Sequence, residues 1–494
     1  MSQTLDEPAG LRRGAIGLRE VLFQSVTDMA PGAAIAASIP AGAAVAGGSL
    51  PLAVLFALVA SLLCATCVGE LAARMPAAGS VATYAARGLH PTVGFLVAWA
   101  YALAAALIPP LVLIQLGFTT AGTLHAEWSA YPVGLWWPWA LLGAAIILVA
   151  GLAGIQASAR MGTILGVFEI AVFLVIAILL IIHAGSANTL NVFTTRYTPE
   201  GHAGLSGVIA GSVFTVLAFA GFEGAAPLAE EARDPHRTVR RAVLLATVGI
   251  GALYVITTYA ASVGYGPGKF VNFAGSGAAS WEGVTRALFG LVWVLVFLAI
   301  VNSTLANANA GLNVASRTAF AMGRIRVFPS PFALLGARSR SPYVAIIVST
   351  AFTAVVSLGL GLAYGTSNAF AMVGTGIVII IAAVYIIVDL ACVGYFLRNR
   401  EQLNIFLHVV VPVLGVLAFI PAWLNAAGIP AFSFIAPLTP PVSYVGPVVA
   451  GWLLLGVVYL LSHQRRNPER IVAVGLVHLD RPAGEAELGE DSRA

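Results

Sequence analysis

The stretch "QSVTDMAPGAAIAAS", residues 24–38, sets an acid, Asp28, and then two helix breakers, Pro31 and Gly32, inside a run otherwise apolar enough for lipid. In a bilayer each unpaired backbone group and each bare charge is costly, so non-helical backbone survives only where it is buried in protein or lines a cavity. The run therefore reads as a membrane helix that stops and restarts, with something polar answering the backbone groups released at the gap.

The rest of the chain supports a lipid setting. It has 494 residues, 59% hydrophobic and 9% charged, with a mean hydropathy of +0.92. A soluble chain carries roughly a quarter charged residues. Residues 50–69, 139–159, 162–183, 242–263, 287–309 and 369–397 each match the ~20 apolar residues that span a bilayer as a helix. A β-barrel would instead alternate in segments of ~10 residues. The expected fold class is an all-α polytopic membrane protein of about twelve transmembrane helices, at 20–46, 50–73, 91–120, 133–153, 157–183, 204–228, 238–264, 284–313, 342–363, 368–396, 404–425 and 443–462.

With the N-terminus cytoplasmic, this division places 22 of the 25 basic residues inside and leaves Arg196, Lys269 and Arg286 outside, as the positive-inside rule requires. Both termini are expected in the cytoplasm. Residues 1–18 are polar and mixed in charge, without the features of a cleavable signal. The net charge of +4 reflects this topology and not an affinity for nucleic acid. The last stretch, 464–494, reads as a mostly unstructured cytoplasmic tail, with "RIVAVGLVHL" as a possible short docking element.

The opening stretch has a twin. "VFTVLAFAGFEGAAPLAEE", residues 213–231, surrounds the acid Glu223 with Gly221, Gly224 and Pro227. Five spans separate the two breaks. If spans one to five and six to ten are two copies in opposite orientation, the breaks are equivalent and meet at mid-membrane. Paired Gly/Pro-interrupted segments of this kind point to a transporter substrate site. Half-helix N-termini offer free N–H groups and a positive dipole end to a carboxylate, and freed carbonyls suit an ammonium. The candidate substrate-binding residues are Ala30, Pro31, Gly32 and Ala33 at the first break, and Phe219, Ala220, Gly221 and Phe222 at the second. The bland reading is a pair of packing kinks, since Gly and Pro are frequent in membrane helices.

Three further stretches carry a family resemblance: "GELAARMPAAGSVATYAARGLHPTVGFLVAW" (69–99), "FAGFEGAAPLAEEARDPHRTVRRA" (219–242) and "NVASRTAFAMGRIRVFP" (313–329). From about residue 19 to 463 the chain resembles the amino acid–polyamine–organocation (APC) superfamily. The resemblance implies a LeuT-type 5+5 inverted repeat with discontinuous helices one and six, plus two peripheral helices. It also implies alternating-access transport of amino acids or related amines. The expected divisions are an N-terminal tail at 1–18, a transport core at 19–397, peripheral helices at 398–463 and a C-terminal tail at 464–494. Where many members carry a glycine-rich first break, this chain has "APGA", residues 30–33. Pro31 lacks an N–H, which leaves the amides of Gly32 and Ala33 to receive a carboxylate.

Intramembrane carboxylates are functional candidates by default. Glu169 in span five falls, by the resemblance, where some proton-coupled relatives carry a lysine, beside the cation site of sodium-coupled ones. It is assigned to coupling, with a structural ion pair as the alternative. Glu223 and Asp28 are further coupling candidates, each equally readable as a stabiliser of its broken helix. Asp389, low in span ten, reads as a gate or surface ion pair. Asn302, Ser303 and Thr304 make span eight polar and form a possible cation site, or else interhelical hydrogen-bond glue. The resemblance also suggests an aromatic lid from span six, where Phe214, Phe219 and Phe222 are available. Cys64 and Cys67 form a CxxC on a membrane helix and read as packing contacts.

The expected function is secondary active transport of amino acids across the cytoplasmic (inner) membrane, coupled to protons or alternatively sodium. An amine or polyamine permease, an exchanger and a non-transporting amino-acid sensor keep the same site. No catalytic constellation, metal motif, Walker A motif or cofactor fingerprint occurs in the sequence, so neither enzyme activity nor a cofactor is expected. The expected partners are a small-molecule substrate, a coupling ion and lipid.

Overall fold

The computed structural model describes residues 14, 16–76, 79–153, 155–229, 232–276, 279–324, 326–336, 339, 341–432, 435 and 437–464. The expectation for the tail beyond residue 464 lies outside the described residues, as do Arg12, Arg13, Arg338 and Arg340. Among the described residues, twelve helical spans follow one another. Span one is Leu18–Met29 and, past a break, residues 31–46. Span two is Leu50–Arg74, span three Pro91–Glu127, span four Trp137–Ala153 and span five Ile155–Ala184. Span six is Leu205–Phe219, a break, and a 3-10 turn at Phe222–Leu228. Spans seven to ten are Pro235–Tyr265, Trp293–Arg324, Tyr343–Tyr364 and Thr366–Arg398. Span eleven, Val411–Ala426, follows a π-turn at Phe406–Val410, and span twelve is Val445–Gln464. Two short helices, Ser80–Gly88 and Ala279–Phe289, lie between spans.

Among the described residues, ten helices are long and apolar enough to cross a membrane unaided. The two spans outside that set have local reasons: span one is cut in two, and span four has only 17 residues.

The packing is pseudo-twofold. Span one packs on seven and span six on two; three on ten and eight on five; three on four and eight on nine; three on nine and eight on four. Exchanging each of the first five spans with the span five later maps every one of these pairs onto another. Because the offset is odd, equivalent helices cross the membrane in opposite directions. This is the inverted five-plus-five arrangement. Spans eleven and twelve sit outside it, eleven against two and ten, twelve against three and ten. Span twelve is fastened by a reciprocal tryptophan pair: Trp99 Nε1 donates to the Trp452 carbonyl at 2.9 Å and Trp452 Nε1 to that of Trp99 at 3.1 Å. The outer surface carries exposed apolar side chains such as Val355, Val448 and Leu454. With lipid as the solvent, such residues belong outside.

Three features orient the broken helices. Gly17 opens span one, its amide bonded to Glu20 Oε2 at 2.9 Å. Just before it, Ile16 pairs with Ala232, and the Arg233 amide donates to the Ile16 carbonyl at 2.8 Å. The start of span one is thereby tied to the segment leaving span six. Past the first break, residues 34–38 wind as a π-turn, and the Ile35 carbonyl there accepts Trp281 Nε1 at 2.8 Å.

Candidate functional site

Span one stops at Met29 because Ala30 turns into the left-handed region, with φ 47° and ψ 65°. A residue with a Cβ seldom sits there. Pro31 then opens the second half, where its missing N–H costs nothing. The amides of Gly32 and Ala33, at the start of this half-helix, have no carbonyl one turn back to bond. Span six stops at Phe219, Ala220 takes an extended conformation, and Gly221 turns the chain with φ 108°.

The two breaks touch. A Cβ on Gly224 would overlap Asp28 Oδ2, and one on Gly221 would lie 2.7 Å from the Asp28 carbonyl carbon and 2.8 Å from its Cβ. Asp28 therefore lies across the two glycines of span six, its carboxylate oxygens each 3.3 Å from Gln24 Nε2. Ser25 joins the breaks from below: its hydroxyl donates to the Phe222 carbonyl at 2.7 Å and accepts the Ala225 amide at 2.9 Å.

The freed backbone groups are answered by distant helices. Asn307 Nδ2 of span eight reaches the Thr27 carbonyl at 3.1 Å and that of Asp28 at 2.6 Å. The Tyr254 hydroxyl of span seven donates to the Met29 carbonyl at 2.6 Å, and Gln115 Nε2 of span three to the Ala33 carbonyl at 2.9 Å. Glu223 holds the second break: its Oε2 accepts the Gly221 amide at 3.2 Å and the Tyr385 hydroxyl at 2.6 Å, while Oε1 accepts the Tyr101 hydroxyl at 3.3 Å. The carboxyl group's two oxygens thus meet three donors, which is how so polar a group is accommodated at this depth.

A cavity of about 40 Å³ lies beside the first break, among Asp28, Ala30, Ala33, Gln115, Ala220 and Asn307. A water molecule occupies roughly 30 Å³ of liquid, and small-molecule sites measure about 300–1,000 Å³. The space is constricted to solvent scale, and admitting a solute requires the helices around it to part.

Of the sequence-selected residues, Asp28, Ala30, Ala33 and Ala220 line this cavity. Gly32 instead faces span eight and span five, its absent Cβ 2.9 Å from Ser303 Cβ and 3.2 Å from Glu169 Oε2. That places Glu169 and Ser303 at the back of the first break. Asn302 Nδ2 lies 3.5 Å from Glu169 Oε2, whereas the Thr304 hydroxyl is spent on its own helix, at 2.9 Å from the Val301 carbonyl. Phe219 packs edge-on against Tyr254, ring centroids 5.3 Å apart, and Phe222 against Tyr385 at 4.8 Å. Both rings are fully buried supports behind the breaks, and the cavity lining does not include them, Pro31 or Gly221. Asp389, expected as a gate or surface ion pair, is not at the surface: it is fully buried, beside the thiols of Cys64 and Cys67. Cys64, Cys67 and Cys392 are buried free thiols.

Gln115, Tyr254, Tyr385, Tyr101 and Ser25 were not selected from the sequence. Gln115 carried a signal, as a lone amide in an apolar stretch of span three. The tyrosines carried none, because tyrosine is common in membrane helices as packing and as an interfacial anchor.

The profile of the amino acid permease family matches residues 20–462, nearly the stretch over which the motifs carried their resemblance. The chain is 28% identical over 433 residues to the low-affinity putrescine importer PlaP of Escherichia coli K12, covering 85% of this chain and 88% of that one. It is 28% identical over 360 residues to an uncharacterized transporter of Mycobacterium tuberculosis, covering 71% and 75%. It is 25% identical over 333 residues to the histidine permease HisP of Lactococcus lactis, covering 65% and 66%.

Proposed function

The chain belongs to the amino acid permease family, and on that premise we propose that it is a secondary transporter carrying amino acids or related amines across the cytoplasmic membrane by alternating access. The observation that carries this reading is the meeting of two broken helices beside one cavity, with Asp28 lodged over Gly221 and Gly224. A substrate carboxylate would take the amides of Gly32 and Ala33, which begin a half-helix with its positive dipole end. Its ammonium would take Asp28, because the carbonyls of residues 27–29 already accept Asn307 and Tyr254.

In this reading residues 19–397 are the transport core, 398–463 its periphery, and both termini are cytoplasmic, as the partition of basic residues supports. Glu169 is the coupling group. It touches the back of the first break next to Gly32, so a change in its proton or cation occupancy acts directly on the substrate cradle. Protons are the preferred coupling ion; sodium at Glu169, Asn302 and Ser303 is the alternative. An amine permease is the second reading, favoured by Asp28 in the cavity wall and by the likeness to a putrescine importer.

Purified protein in liposomes tests the proposal with labelled alanine, lysine and putrescine. An inward proton gradient should drive accumulation of at least one solute, and an ionophore should abolish it. Exchange without accumulation would identify an exchanger. Binding without flux would identify a sensor and end the transport reading.

A further inference from the structure

A second polar site lies above the cavity, on the side where the basic residues are few. The short helix Ala279–Phe289 covers the second half of span one through Trp281, which bonds the Ile35 carbonyl and packs edge-on against Phe173 of span five at 5.5 Å. One turn of this helix carries Glu282, 3% exposed, whose Oε2 accepts the Thr123 hydroxyl of span three at 2.7 Å. Among the described residues, its other oxygen, Oε1, has no hydrogen-bond partner. The hydroxyls of Thr119 and Thr285 are likewise buried and unpartnered. Thr285 shares a face with Glu282, and Thr119 with Thr123, by helical spacing. The neighbouring charges do not balance. Arg286 pairs with Glu127 and lies 4.0 Å over the Trp293 ring, so two carboxylates share one guanidinium.

Gln115, Thr119 and Thr123 recur every four residues on span three, and Gln115 lines the cavity. At 1.5 Å per residue this stripe climbs about 12 Å from the cavity wall to Glu282. Glu282 Oε1 thus stands without a donor on a surplus carboxylate, and the Thr119 and Thr285 hydroxyls offer further unused acceptor lone pairs. A primary ammonium brings three donors and one positive charge.

We propose that Glu282, with Thr119, Thr123 and Thr285, forms an outer subsite that receives the ammonium group of a cationic substrate on its way to the cavity between the two breaks. The assignment rests on the transport reading above and narrows its substrate class to solutes with an ammonium not neutralised by their own carboxylate.

The test is concentration-dependent uptake of labelled putrescine, lysine and alanine by the full-length protein in liposomes, wild type against Glu282→Gln. The glutamine keeps an acceptor for Thr123 and removes the charge. KM for putrescine and lysine should rise about tenfold or more, with Vmax and the alanine KM unchanged, and Glu282→Asp should recover part of the loss. If Glu282→Gln does not assemble, Thr119→Val should produce a smaller rise confined to the same two cations. An unchanged KM for the cations overturns the subsite, as does an equal rise for alanine, which would mean that Glu282 only fastens the covering helix. Wild-type protein that carries alanine alone overturns the subsite and leaves the transport reading standing. Wild-type protein that carries none of the three overturns that reading and the subsite with it.

Discussion

A methyl group at Gly224 has nowhere to go. It would overlap Asp28 Oδ2, and the carboxylate could withdraw only by leaving Gln24. Gly224→Ala should therefore lower stability by about 1–3 kcal/mol, the usual cost of overpacking, and abolish uptake. Adding Asp28→Ala removes the obstructing carboxylate, so the double variant should melt close to Asp28→Ala alone while remaining inactive. Melting losses that simply add would show that residues 28 and 224 do not touch, since only neighbouring sites couple in such a cycle. Glu169 makes a separate residue-scale case. Its carboxylate has Asn302 Nδ2 at 3.5 Å and stands against the gap left by Gly32. Glu169→Gln preserves shape and loses the titrating proton. Substrate exchange should persist and accumulation driven by a pH gradient should vanish; pH-driven uptake equal to wild type would remove Glu169 from coupling.

At the scale of elements, the breaks are held open by side chains from other helices. Asn307 bonds two carbonyls at the end of the first half of span one. Asn307→Ala would strand the Asp28 carbonyl, at about 1–3 kcal/mol for a buried group, while the Thr27 carbonyl would keep the Ala30 amide at 3.1 Å. Thr304→Ala, three residues away, removes only a bond within span eight and should cost far less. Thermal melting of the two variants compares them, and equal losses would show that Asn307 does no bracing. This division also explains what the sequence makes legible. Pro31, Gly32, Gly221 and Gly224 announce the breaks because their backbone preferences are local. The span count and the two acids beside the breaks are legible for the same reason. The braces are not, because Gln115, Tyr254 and Asn307 stand 82, 225 and 279 or more residues from the carbonyls they bond. Phe219 and Phe222 illustrate the converse. The family resemblance suggests an aromatic lid from span six; which way each ring points depends on the tyrosine it meets on span seven or ten.

For the whole molecule, the constricted cavity and the exchange symmetry of the packing belong together. Two five-helix sets in opposite orientation can lean either way at similar cost, and a ligand shifts such an equilibrium only by binding one arrangement better than the other. Ala220 is half-buried and borders a cavity of about 40 Å³, so in an alternating-access cycle a reagent larger than water would reach it chiefly when the sets part. The native thiols at Cys64, Cys67 and Cys392 are fully buried, so the chain supplies its own low background. A cysteine at Ala220 should react with a membrane-impermeant thiol reagent at least about tenfold more slowly than one at Gly201, an exposed position in the segment before span six, if the open form lies a little over 1 kcal/mol above the closed one. A transported solute should change that rate, because it fills the cavity and biases which side opens. The measurement is the mass shift of intact protein against time, with and without substrate. Equal rates at the two positions would mean a standing open path and would sink alternating access for this chain. A slow rate that no transported solute alters would detach the cavity at Ala220 from the substrate path.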